Sequence, residues 1–185
     1  EEISARLKEH PNVDFVNEQC GGAALSLSGD KIAVFGEPSD WLIASNVDRD
    51  FLKQKFNIDF VDIPLDTLFR RFSLIDDNMV EFLAADFQAV TSIGETTERD
   101  LLDSLKIYLA INQICQENNC TCATVRCFSI IEKLKATGCL ALALLNDEGI
   151  DAACEGDLQS LLSMLLVRRV TGMPSFMANP SAMSK

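Results

Sequence analysis

Apolar residues recur along this chain in two rhythms that take turns. Short apolar runs are followed by longer stretches with helical spacing, and the alternation is clearest near the end. Residues 150–154, Ile-Asp-Ala-Ala-Cys, form a short apolar run, and Glu155, Gly156 and Asp157 break it. Leu158, Leu161, Leu162 and Leu165 then fall at i, i+3, i+4 and i+7, the spacing of one helix face. Asp157 is placed to cap that helix. Gly172 and Pro174 are its stop signals. Residues 175–178 read as a second buried strand, followed by Asn179-Pro180. The pattern predicts a strand–helix–strand unit with a carboxylate at the carboxyl end of its first strand.

The same rhythm runs through the rest of the chain. Residues 1–10 read as the end of a helix broken by Pro11, with a short strand over 13–16. Residues 23–28 and 31–35 alternate as a hairpin around Gly29-Asp30. Residues 36–40 are turn chemistry, and 41–44 fit a buried strand. Ser45-Asn46 would cap a helix over 48–56, and 58–63 forms a strand ended by Pro64. That makes a first strand–helix–strand unit. Helices are expected over 65–72 and 77–90, with a linker at 91–96. Thr97 and Asp100 resemble a capping box for a helix reaching about Gln116, with Leu101, Leu105 and Tyr108 in its buried stripe. A strand over 122–126 follows, then helical segments over 130–136 and 140–146. Alternation of this kind implies an α/β layered domain with a mostly parallel sheet.

Composition narrows the reading. Apolar residues make up 48% and charged residues 24%, as in ordinary globular chains. No apolar run is long enough to span a membrane. The opening Glu-Glu-Ile-Ser is acidic and lacks an initiator Met, so the chain is expected to be excised from a longer one or processed, and a cytoplasmic location is expected. A net charge of −12 argues against nucleic acid as partner. Arg168-Arg169, the longest basic cluster, reads as a solvated face. The seven cysteines suit reduced thiols. Four lie within residues 115–127, but their spacing is not the paired CxxC of structural zinc sites, and the single histidine, His10, is distant.

The candidate chemistry lies at the strand ends. Parallel neighbouring strands are about 4.8 Å apart. If the strands preceding Glu155 and Asn179 are adjacent, both side chains reach one small volume. Both offer hard oxygen ligands, which suit Mn²⁺ or Mg²⁺. Ser39, Asp40 and Trp41, and Cys127-Phe128-Ser129, would border the same crevice. A plainer reading stands beside this one. Acidic residues at such turns are commonly caps or surface groups, Asp157 suits a cap better than a ligand, and a tryptophan such as Trp41 is more often core than a sugar platform.

Residues 153–157 (Ala-Cys-Glu-Gly-Asp), Met164-Leu165-Leu166, Thr171-Gly172 and 176–180 (Phe-Met-Ala-Asn-Pro) together resemble the L-fucose isomerase-like family. Residues 36–45, followed by 48–56 and 61–64, are similar to the opening of that family's second domain. The resemblance implies a Rossmann-like three-layer middle domain over 31–185, with residues 1–30 as the tail of a preceding domain or an N-terminal extension and a C-terminal domain elsewhere. It implies an aldose–ketose isomerase acting on a monosaccharide through an enediol, with Mn²⁺ as cofactor and a trimeric or hexameric homo-oligomer. Glu155 matches the family's metal-binding and acid/base Glu. Asn179 stands where the family has Asp, and the family's His would come from a later domain. Substrate contacts are expected from Ser39, Asp40, Trp41 and Ser129. An amide cannot shuttle a proton near neutral pH, so a non-catalytic sugar-binding or regulatory protein on the same fold is the alternative. The 185-residue piece alone is expected to show no sugar isomerisation with added Mn²⁺; turnover by the purified piece would overturn that expectation.

Overall fold

A computed structural model describes residues 27–90 and 94–178. The expected helix over 1–10, the strand over 13–16, His10, Cys20, residues 23–26 of the hairpin, 91–93 of the linker and Asn179 lie outside the described residues.

Four strands form one parallel sheet: β1 (Lys31–Phe35), β2 (Asp59–Ile63), β3 (Cys122–Val125) and β4 (Asp151–Cys154), in the order β2-β1-β3-β4. Among the described residues seven α-helices accompany them: α1 (Arg49–Phe56), α2 (Leu65–Leu74), α3 (Asn78–Val90), α4 (Glu98–Glu117), α5 (Cys127–Leu134) and α6 (Cys139–Asp147) between strands, and α7 (Leu158–Thr171) after β4. Successive side chains of a strand point to opposite faces, and both faces here are apolar. Ala33, Phe35, Ala123, Val125 and Ala152 pack against α2, α4 and α6. Ile32, Val34, Cys122 and Ala153 pack under Leu158, Leu161, Met164 and Leu165 of α7. The protein is an α/β domain with a Rossmann-like three-layer fold.

The chain runs outward from β1 to β2, then returns past β1 to β3 and β4. Connections therefore leave β1 and β3 in opposite directions. In open α/β sheets this reversal leaves a crevice at the carboxyl ends of the strands, where ligands bind.

Several elements match the pattern, and their caps show why. The Asp48 carboxylate accepts from Phe51 N–H at the start of α1. Thr97 and Asp100 make the reciprocal capping box of α4. Asp157 caps α7, and Gly172, with φ of 69°, ends it. Other expectations are corrected. Both edges of β1 are taken by parallel neighbours, so no hairpin partner can pair with it. Residues 41–44 are not a buried strand: they enter a 3₁₀ turn (Ile43–Ser45), with Trp41 56% and Ile43 89% exposed. The first strand–helix–strand unit is therefore β1–α1–β2. Asp48, not Ser45-Asn46, caps α1, and Ser45 is used elsewhere. Helix α5 begins at Cys127 rather than residue 130. Residues 175–178 form no strand, and β4 pairs with β3 alone among the described residues.

Arg168-Arg169 is more than a solvated face: Arg168 is largely buried, Arg169 stays partly exposed, and both are ion-paired. Helix α7 runs back along the sheet, so its last turn reaches the amino-terminal edge, where two buried carboxylates need partners. Arg169 Nη2 donates to both oxygens of Asp30, at 2.7 and 2.9 Å. Arg168 Nε donates to Asp151 at 2.7 Å, and its Nη2 to Asn146 O at 2.6 Å. Asn146 in turn seals the outer edge of β4. Its amide donates to Ala152 O at 2.8 Å and accepts from Ala152 N–H at 3.1 Å, as a neighbouring strand would. Removing Arg168 strands the buried Asp151 carboxylate, so Arg168→Ala should cost about 3–5 kcal/mol in urea unfolding. Adding Asp151→Asn should recover part of that loss. Equal stability of Arg168→Ala and wild type would contradict the assignment.

Candidate active site

The centre of the carboxyl edge is the turn between β4 and α7. Glu155 and Gly156 both take left-handed backbone conformations, with φ of 62° and 72°. Glycine does this freely; for glutamate the conformation costs roughly 1–2 kcal/mol. Two such residues in succession reverse the chain within one turn. Gly156 N–H then donates to Val125 O at 3.1 Å, which holds the turn over the end of β3. A Cβ at Gly156 would lie 2.7 Å from Pro38 Cα and 3.0 Å from Glu37 O. The absence of a side chain lets the loop after β1 close directly onto the turn.

That loop, residues 36–45, is fastened at several points. Ser39 N–H donates to Glu155 O at 3.0 Å. Ser45 Oγ donates to Asp157 Oδ1 at 2.6 Å. Trp41 Nε1 donates to Glu155 Oε2 at 2.9 Å, and its ring meets Phe128 edge-on at 5.1 Å. Arg126, directly after β3, donates to Pro38 O at 2.8 Å, to Asp40 Oδ1 at 3.2 Å and to Ser129 Oγ at 3.2 Å. The outcome is a glutamate only 8% exposed, roofed by an exposed aromatic pair.

The residues singled out in the sequence fall into three groups. Glu155, Trp41 and Ser39 come together, and the Ser39 hydroxyl is buried with no partner among the described residues. Asp40 and Ser129 sit to one side, tied to Arg126, with Asp40 largely exposed. Asn179 lies outside the described residues, so its meeting with Glu155 is not part of this geometry. Phe128 was expected at the border of the crevice and lies there, against Trp41; Arg126 and Ser45 were not anticipated as site builders. Arg126 carried a usable signal, since it directly follows a strand at the ligand edge. Ser45 carried none, because only the fold brings it to Asp157.

Electrostatics separates the acidic groups. Burial works against ionised Asp157, but hydrogen bonds from Ser45 and from the backbone and hydroxyl of Ser160 outweigh it and hold the carboxyl below its ordinary range. Asp157 is thereby committed to the cap. Two thiols flank Glu155: the Cys154 thiol donates to Cys127 Sγ at 2.7 Å. That bond, against the opposing effect of burial, brings Cys127 down to about 7, while Cys154 is pushed up. The other clustered cysteines are core groups, and burial raises Cys115 and Cys122 to about 12. Among the described residues no three His, Cys, Asp or Glu side chains converge as a metal site. Glu155 is an oxygen donor on the wall of the cavity at this edge. The described residues therefore do not form a Mn²⁺ site by themselves; Asn179 and further ligands would have to complete it.

A cavity of about 550 Å³ opens beside the turn, along the outer edge of β4. Cys154, Glu155, Met164, Phe176 and Met177 are among its walls.

Two outcomes test this arrangement. Gly156→Ala should destabilise the domain by about 1–3 kcal/mol, through clash and left-handed strain together, and should shift the fluorescence of Trp41, the chain's one tryptophan. A silent substitution would mean that loop and turn are not in contact. The depressed Asp157 carboxyl contributes stability above the ordinary carboxylate range and loses it as pH falls through its folded value. The stability gap between wild type and Asp157→Asn should therefore narrow on acidification, as followed by unfolding at several pH values.

No family model matches the chain. Over 114 residues it is 27% identical to a sulfoquinovose isomerase from Clostridium sp. (strain MSTE9). The matched stretch is 61% of this chain and 26% of that protein, so the chain corresponds to about a quarter of the relative's length. The similarity is to a sugar isomerase.

Proposed function

We propose that the full-length protein is an aldose–ketose isomerase of the L-fucose isomerase-like kind, with Glu155 as the proton-transferring carboxylate. The observation that carries this reading is the buried Glu155 carboxylate at the carboxyl edge, with Trp41 Nε1–H on one of its oxygens. The relative's name adds support from outside the structure. In this reading residues 31–185 are one domain of a larger subunit, the substrate is a monosaccharide, and the subunits form a trimer or hexamer. Sulfonated sugars belong among the substrates to be tried, because the relative is named for one.

The chemistry needs a base that takes a proton from the carbon beside the carbonyl and returns it to the neighbouring carbon. Glu155 is positioned by its neighbours for such a role. Trp41 fixes one oxygen and hence the side-chain rotamer, and the aromatic pair Trp41–Phe128 offers an apolar ledge to the C–H face of a sugar. Asn179 cannot exchange protons near neutral pH, so Glu155 would both remove and return the proton on one face of the enediol. Mn²⁺ or Mg²⁺, held by Glu155, Asn179 and ligands outside the described residues, would supply Lewis-acid polarisation of the sugar oxygens.

The second reading, a sugar-binding protein without turnover, is favoured by one observation: the amide at position 179 where the family carries a carboxylate. The two readings separate in one experiment. The full-length protein is incubated with Mn²⁺ and a panel of aldoses in D₂O, and ketose formation and deuterium uptake are followed by NMR. The isomerase reading expects turnover with solvent deuterium at the transferred position, and a loss of roughly 10²- to 10⁴-fold in kcat for Glu155→Gln. Undiminished turnover in Glu155→Gln would remove Glu155 from the chemistry. Binding without turnover, unchanged by Asn179→Asp, would favour the second reading.

A further inference from the structure

Two thiols meet at the wall of this site. Cys154 is the last residue of β4 and directly precedes Glu155; Cys127 is the first residue of α5, just past the end of β3. β3 and β4 are neighbours in register, with Val125 opposite Cys154. Arg126 is the only residue between Val125 and Cys127, and the chain turns there so that the two sulfurs stand 2.7 Å apart. A disulfide holds its sulfurs about 2.05 Å apart, so the pair already stands close to bonding distance. The other cysteines among the described residues are placed differently. Cys115, Cys120 and Cys122 lie deep in the packed layers, and Cys139 is exposed. The Cys127–Cys154 pair also has a route to solvent, since Cys154 forms part of the wall of the 550 Å³ cavity.

We propose that Cys127 and Cys154 are a reversible oxidation site, closing to a disulfide that rigidifies the Glu155 turn and lowers the activity of the neighbouring site. The oxidant is a small hydroperoxide entering through the cavity. One sulfur of the pair, as thiolate, attacks the peroxide oxygen; the O–O bond breaks, and an alcohol or water leaves. The resulting sulfenic acid is attacked by the second sulfur, the S–S bond forms, the S–O bond breaks and water leaves. Overall, two thiols and one hydroperoxide give one disulfide, one alcohol (or water) and one further water, with two electrons passing from the sulfurs to the peroxide. A dithiol reductant reverses the change by exchange.

The geometry explains why the turn would respond. The bond would tie the end of β4 to the amino terminus of α5, one residue before Glu155 and one residue before Phe128. The two fixed ends carry the carboxylate and half of its aromatic roof. Rearrangement of groups that support a functional side chain commonly costs tenfold or more in activity.

The test uses the full-length protein, treated with hydrogen peroxide and then split for two readouts. Peptide mass mapping under non-reducing conditions should show one cross-link joining Cys127 to Cys154, lost on adding dithiothreitol. This arm does not depend on what the protein catalyses. Isomerase turnover, which rests on the function proposed above, should fall roughly tenfold in parallel and return on reduction. Cys127→Ala and Cys154→Ala should lose the cross-link and the reversible part of the inhibition; Cys139→Ser should lose neither. Separate sulfinic acids without a cross-link, or a Cys139–Cys154 link, would overturn the proposal. A Cys127–Cys154 link with unchanged turnover would refute control of the site while leaving the pairing in place. Absence of turnover before oxidation would count against the isomerase reading and not against the pair.

Discussion

The site depends on one close approach, backbone against backbone, between Gly156 and Pro38. A side chain at Gly156 would lie 2.7 Å from Pro38 Cα, so loop and turn can touch only because that side chain is missing. With the contact made, Ser39 N–H reaches Glu155 O, Ser45 reaches Asp157 and Trp41 reaches the Glu155 carboxylate. Each bond is modest alone, about 0.5–1.5 kcal/mol for a neutral pair and more for a charged one. Together they offset the left-handed strain at Glu155. The strained residue is also the candidate catalytic group, which fits the tendency of backbone outliers to gather at working sites.

The two edges of the sheet divide the labour. At the amino-terminal edge, Asp30 and Asp151 are buried and each is closed off by an arginine from the last turn of α7. Those charges are saturated and serve the architecture. At the carboxyl edge, Arg126 is spent on carbonyls, Asp40 and Ser129, while Asp157 is spent on the cap. Glu155 is the acidic group of the turn that lines the cavity rather than capping a helix. Helix α7 links the two edges: its first residue follows the cap next to Glu155, and its last turn locks the far side. A disturbance of the α7 packing would therefore reach both.

Local chemistry was legible wherever a short segment settles its own conformation. The capping box at Thr97 and Asp100, the Asp157 cap and the Gly172 stop are all such cases, as is the stripe under α7. Errors arose where an apolar run lacked a neighbour to pair with. Trp41 to Ala44 is apolar enough for a strand, yet the sheet positions beside β1 are held by β2 and β3, so the run becomes a 3₁₀ turn and Trp41 is left to roof the crevice. Residues 175–178 fail for a related reason, since the outer edge of β4 is already sealed in part by Asn146. Arg168 and Arg169 looked like surface charge because nothing local shows that Asp30 and Asp151 lie within their reach.

By itself the sequence determined the α/β alternation, the caps and stops, and the location of an acidic turn after the last strand, because these follow from spacing and backbone preference within a few residues. It also carried a resemblance that set Glu155 apart as the group of interest. Only the tertiary structure decided which residues surround Glu155. Trp41 and Ser39 reach it from a distant segment, Phe128 packs against Trp41, and Cys127 meets Cys154, because parallel strands deliver their carboxyl ends to one edge. No pattern along the chain encodes that meeting, since it depends on the order of strands in space and on a glycine small enough to let two backbones touch.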